Sequence, residues 1–136
     1  MKISINADYM LRAVFELAQN KSGKPVSIST IAANQHIPSK FLEKLFRRLK
    51  QYGIVKSKKG KSGGYLLKNS PEEITMHRII QAAEGEVKIH NCIERSKETN
   101  CRNLDTCIFR SFWTKFNDHI DSFLKNYTLQ DFINQQ

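Results

Sequence analysis

Residues 38–68 constrain the fold of this chain more than any other stretch. Phe41, Leu42, Leu45, Phe46 and Leu49 recur at helical steps and mark one buried face. The opposite face carries Lys40, Glu43, Lys44, Arg47, Arg48 and Lys50. Pro38 suits the first turn of such a helix, where its missing N–H leaves no bond unmade. Gly53 is placed to cap the far end in a left-handed conformation. The spacing therefore predicts a helix over 39–52. Two short strands are predicted over 54–58 and 65–68. Between them runs Lys59-Gly60-Lys61-Ser62-Gly63-Gly64, whose glycines permit the positive φ angles of a hairpin turn.

The flanking segments fit around this unit. Tyr9/Met10, Ala13/Val14 and Leu17/Ala18 predict a helix over 8–20, followed by a loop at 21–25. Ser27 or Ser29 can cap a short helix ending near residue 34, with Ile28, Ile31 and Ala32 inward. A brief turn at 35–37 leads into the basic helix. Two helices, a turn, a basic third helix and a glycine-rich hairpin together make a winged helix-turn-helix. Downstream, Thr75 can cap a helix reaching about residue 84, with Met76, Ile79, Ile80 and Ala83 apolar and Gly85 as its stop. Residues 87–106 are polar, show no period and read as a loop. From Cys107 a long helix is expected, with Phe109, Phe112, Trp113, Phe116, Ile120, Phe123 and Tyr127 spaced close to a heptad seam. Leu129, Phe132 and Ile133 predict a last short turn. The expected fold is mainly α with a small β-hairpin wing. It divides into a winged helix-turn-helix over 1–86, a cysteine-containing sensor loop over 87–107 and a dimerisation helix with a C-terminal turn over 108–136. Phe109, Phe112, Phe116, Ile120 and Phe123 are the expected interface of a homodimer.

Charge sharpens the functional reading. Residues 40–68 hold ten Lys or Arg and one acid, Glu43, a local charge of +9 that equals the formal charge of all 136 residues. Such a block attracts phosphate. A basic helix can also be a mere solvated face, but the coupling of helix, cap, hairpin and charge in one block favours double-stranded DNA as partner. In a helix-turn-helix the start of the second helix of the pair meets base edges. Here that places Ser39, Lys40, Glu43 and Lys44 at the bases, with Lys40 and Lys44 suited to guanine and Glu43 to cytosine N4. Arg47, Arg48 and Lys50 are expected on phosphates, as are Lys58, Lys59 and Lys61 of the wing; Lys59 or Lys61 can instead enter the minor groove. No stretch has the length of a membrane span and no apolar leader opens the sequence, so a cytoplasmic protein without a membrane partner is expected. No catalytic constellation is present, and no enzyme is expected. The glycines at 60–64 lack a strand-to-helix context, HExxH and GxSxG are absent, and a cysteine paired with His90 or His119 has no orienting third group.

All three cysteines, Cys92, Cys101 and Cys107, lie within sixteen residues in a C-x8-C-x5-C pattern. In a reducing compartment such a group suits metal or redox chemistry better than a disulfide framework. Three readings stand on spacing alone: an iron–sulfur cluster, zinc completed by His90, or a reactive thiol. His36, His77 and His119 read as surface or packing histidines.

The chain closely resembles the IscR/NsrR-type transcription regulators of the Rrf superfamily. The likeness is carried by Met1-Lys2-Ile3-Ser4, by Asp8-Tyr9-Met10-Leu11-Arg12-Ala13, by Phe41-Leu42-Glu43-Lys44-Leu45-Phe46-Arg47-Arg48-Leu49 and by Gly53-Ile54-Val55. The wing Lys59-Gly60-Lys61-Ser62-Gly63-Gly64-Tyr65-Leu66-Leu67 and the ending Tyr127-Thr128-Leu129-Gln130-Asp131-Phe132 complete it. The resemblance implies a homodimeric repressor or activator on a palindromic operator, with the long C-terminal helix crossing between subunits. It also implies an iron–sulfur cluster, [2Fe-2S] favoured over [4Fe-4S], held by Cys92, Cys101 and Cys107. Two departures matter. The gap from Cys92 to Cys101 is wider than in IscR-like members. Three residues after the third cysteine, where those members place a ligating histidine, stands Arg110, whose guanidinium cannot ligate iron. In the NsrR-like branch an aspartate near the N-terminus of the partner subunit supplies the fourth ligand, and Asp8 matches it. Asp8 is favoured over His90 in that role; its alternative reading is the N-cap of the opening helix.

Overall fold

The computed structural model describes residues 2–90 and 101–136. Six helices and one hairpin follow in the order α1 (Ile5–Gln19), α2 (Ile28–Gln35), α3 (Ser39–Gln51), β1 (Val55–Lys58), β2 (Gly64–Leu67), α4 (Met76–Glu84), α5 (Arg110–Asn126) and α6 (Leu129–Ile133). The mainly α winged helix-turn-helix expected from the sequence is thus the fold observed.

Each helix of the first half buries the face its period foretells. Helix α1 buries Ala7, Met10, Ala13, Val14 and Leu17; α3 buries Leu42, Leu45, Phe46 and Leu49. These meet Ile31 of α2, Ile54 and Val55 at the base of the wing, and Ile79 of α4 in one core. Removing each such side chain from water contributes roughly 1.5–3 kcal/mol. Leu129 of α6 closes the same core, 1% exposed. Phe41, expected inward, is half-buried and packs edge-on against Tyr9 at 5.6 Å.

The caps explain where elements stop. Ser27 Oγ accepts from the Thr30 N–H, and Thr75 Oγ1 from the Arg78 N–H, as the sequence suggested. Pro38 stands at the N-cap of α3, one position outside its first turn, and Gly53 beyond the C-terminus adopts φ +67°. His36 ends α2 in the left-handed region at φ +54°, which positions the following Ile37 N–H on the Ala32 carbonyl at 3.0 Å. Few non-glycine residues adopt this conformation, and no local pattern foretells it.

Two helix starts differ from expectation by three residues, and the other ends by about one. Helix α1 begins at Ile5, three residues earlier than the predicted start, because burying Ala7 favours an extra turn. Its N-cap is Ser4, so Asp8 is not a cap: it lies in the first turn, with its N–H already on the Ser4 carbonyl at 3.4 Å. Ser4 makes no side-chain cap bond; its hydroxyl and its N–H both donate to Glu84 Oε1, at 2.5 and 3.0 Å. Helix α5 begins at Arg110 rather than Cys107. A separate turn, Arg110 N–H to the Cys107 carbonyl at 3.3 Å, precedes it, and Phe109 is its N-cap, not a helical residue.

The hairpin pairs antiparallel from Val55↔Leu67 to Lys58↔Gly64. A third piece joins it: Val26 and Tyr65 exchange backbone bonds of 3.0 and 2.8 Å. A single residue behind Pro25 has no period by which to be recognised.

Candidate functional site

The base of the candidate nucleic-acid surface is α3 seated on its buried face. Its outer face shows Ser39, Lys40, Glu43, Lys44 and Arg47 exposed and Arg48 half-buried. On the wing, Lys58, Lys59 and Lys61 are exposed. Among the described residues no ion pair involves any cation from Lys40 to Lys68. Lys50, expected beside Arg47 and Arg48 on phosphate, instead donates to Ser57 Oγ at 2.7 Å and ties the end of α3 to the wing.

Local chemistry sets the shape of that wing. A Cβ on Gly63 would stand 2.3 Å from the Lys58 carbonyl oxygen, and one on Gly64 would stand 2.3 Å from that of Val26. The hairpin therefore closes only with glycine at both places. The turn before α3 is held from α1. Arg12 donates to the side chain and the carbonyl of Gln35, while Glu16 accepts from Asn34 and Gln35 at 2.7 and 2.8 Å. The sequence reading missed this clamp, since contacts between separate helices leave no local signal.

The thiols are described in part. Cys101 is exposed and Cys107 half-buried, neither in a disulfide, on the consecutive turns that precede α5. Cys92 and the loop expected around it lie outside the described residues. Asp8, the predicted fourth ligand, is exposed and lies 3.6 Å from the Arg12 guanidinium. His90, its rival, stacks on Trp113 with ring centres 4.9 Å apart. Among the described residues no three His, Cys, Asp or Glu side chains gather as a metal site.

The expected interface residues lie along α5, which has no buried residue in the single chain. Phe109, Phe112 and Phe123 are 63%, 57% and 58% exposed. Phe116 and Ile120 are half-buried, and Phe112 and Phe116 stack at 6.1 Å. No helix among the described residues is long and apolar enough to cross a membrane.

The sequence profile of the Rrf2 family, described as an iron-dependent transcriptional regulator, matches residues 3–135. An HTH-type transcriptional regulator of Haemophilus influenzae is 35% identical over all of this chain and 89% of its own length. Among solved structures, T. potens IscR is 32% identical with a TM-score of 0.77, covering 99% of this chain and 88% of that one. CymR, the global cysteine regulator of B. subtilis, is 29% identical with a TM-score of 0.79, covering 100% and 98%.

Proposed function

This chain belongs to the Rrf2 family of transcriptional regulators, and on that premise we propose that it reads operator DNA with α3 and its wing under the control of its cysteines. Its relatives are regulators of transcription and not enzymes. The observation that carries the reading is the basic surface of α3 and the hairpin, where Lys40, Lys44, Arg47, Lys58, Lys59 and Lys61 are all exposed.

In this reading Ser39, Lys40, Glu43 and Lys44 meet base edges, and Arg47, Arg48 and the wing lysines hold phosphates. Two copies pair through α5 and its N-cap, where the exposed Phe109, Phe112 and Phe123 need a cover. An isologous pair presents two α3 helices to a palindromic operator. The division into a DNA-binding unit, a sensor loop and a dimerising helix follows.

For control, Cys92, Cys101 and Cys107 would hold an iron–sulfur cluster, with Asp8 of the second copy as fourth ligand. The described donors fit in kind: two accessible thiols outside any disulfide and one exposed carboxylate. When bound, such a cluster supplies an exchangeable site that responds to oxygen, nitric oxide or iron scarcity. The stack of His90 on Trp113 supports a packing role for that imidazole. A second reading is favoured by the likeness to the cysteine regulator CymR and by the exposure of Cys101: the thiols themselves act as the switch, without iron.

The visible absorption spectrum of anaerobically purified protein separates the two. Iron–sulfur charge-transfer bands that vanish in Cys101→Ala and Cys107→Ala support the cluster. A colourless protein with reversible thiol oxidation supports the second reading.

A further inference from the structure

Residues 74–78, the first turn of α4 and its lead-in, touch three parts of the molecule at once. Toward α5 the contact is made by backbone: the Met76 N–H donates to the Tyr127 carbonyl at 2.8 Å, and the Leu129 N–H to the Ile74 carbonyl at 3.0 Å. The flanking Ile74 and Leu129 are 0% and 1% exposed, while Tyr127 is 39% exposed. The His77 side chain adds a second tie, with Nε2 3.0 Å from Asp121 Oδ1 on α5. Lys125 secures the other oxygen of that carboxylate at 2.6 Å. The neighbouring Arg78 reaches the opposite way. Its guanidinium donates to the Gly53 carbonyl and to the Glu73 carbonyl, both at 3.3 Å.

The position of Gly53 gives the last contact its meaning. Gly53 is the left-handed joint where α3 ends and the wing begins, and its φ of +67° aims both. A cation held on its carbonyl fixes the exit angle of the reading helix. Adjacent side chains thus grip α5 on one side and the α3–wing joint on the other.

We infer that His77 and Arg78 are positioning residues that transmit the geometry of α5 to the reading helix and so set the distance between the two DNA-reading surfaces of a dimer. This rests on α5 as the dimer interface and on α3 as the reader, but not on any cluster. In a symmetric pair any tilt of α3 relative to α5 is doubled across the axis. Half-sites stand about one helical turn apart, so register is exacting. A single half-site is indifferent to it.

The test uses a duplex selected by the wild-type protein from a randomised pool, together with its single half-site and versions with the half-sites moved by one base pair. Arg78→Ala and His77→Ala should keep the dimer by light scattering and bind the half-site within about twofold of wild type. The full site should weaken about tenfold or more, and the preference for the selected spacing should flatten. Arg78→Lys, which keeps one donor to a carbonyl, should recover part of both. If either alanine variant fails to fold, Arg78→Lys and His77→Asn carry the same comparison. Equal weakening on half-site and full site, or an unchanged spacing preference in a dimeric variant, overturns the inference. A monomeric wild-type protein overturns the α5 premise as well and so identifies that failure separately.

Discussion

The first four helices and the fifth solve opposite problems. Helices α1 to α4 with the wing seal a core of Met10, Val14, Ile31, Leu42, Phe46, Leu49, Ile54 and Ile79, all 0% exposed. Helix α5 is longer than any of the others and buries no residue fully, yet it carries Phe112, Trp113, Phe116 and Phe123. One region is held by its own apolar contacts. The other rests on the core through Leu124 and half-buries Phe116 and Ile120, but presents Phe112 and Phe123 outward, and such an exposed apolar face calls for a cover. The lesson is that a buried period marks a self-sufficient unit, while an exposed one is a reason to propose an interface.

The sharpest way to break this contrast is to damage each region in turn. Phe46→Ala should cost about 3–5 kcal/mol of folding stability in a denaturant titration, because a large cavity opens in a sealed core. Phe123→Ala should cost well under 1 kcal/mol in the isolated protomer. A loss there matching that of Phe46 would mean that α5 belongs to the core. Next, Phe116→Glu or Phe123→Glu places an unpaired charge in the proposed interface and should weaken the dimer. Sedimentation should show monomer or aggregate, and an intact dimer would remove α5 from the interface.

Smaller effects are expected on the wing and reader. Gly63→Ala should weaken DNA binding by roughly 1–3 kcal/mol while leaving the thermal midpoint near wild type, since the clash is confined to an exposed hairpin. Lys40→Ala should cost about 1–3 kcal/mol at one base pair of the operator and relax specificity there. Lys59→Ala should weaken all sequences alike and reduce the slope of affinity against salt by about one. Titrations against matched and mismatched duplexes at several salt concentrations distinguish the two. The reverse pattern would mean that helix and wing have exchanged roles.

The same contrast explains what could be read in advance. Helix α3, its glycine joint and the glycine hairpin announce themselves, since their causes lie within a few residues of each other: Phe41 to Leu49 for the face, Gly53 for the stop, Gly63 and Gly64 for the turn. The start of α1 lies three residues before the expected one, where Ala7 is buried and Ser4 is tied to Glu84, eighty residues away. The pairing of Val26 with Tyr65, the left-handed His36 and the grip of Arg78 on Gly53 depend on tertiary neighbours and leave no trace in local pattern. At the candidate site the charges were legible for the same reason the helix was, and the structure keeps them exposed. Arg48 is the exception, half-buried on α3; Lys50 stays exposed with its ammonium on Ser57 Oγ. The cysteines were legible as a group, but their partners are chosen by folding and assembly, which spacing does not encode.

One comparison bears most directly on the claim that the cysteines govern DNA binding through a cluster. Operator affinity of anaerobically purified protein is measured before and after removal of iron by a chelator, alongside Cys101→Ser. Control through a cluster requires a change of about tenfold or more on iron removal, ~1.4 kcal/mol, and no change in the variant, whose affinity should match that of the stripped protein. Identical affinity before and after iron removal in the wild-type protein would contradict it.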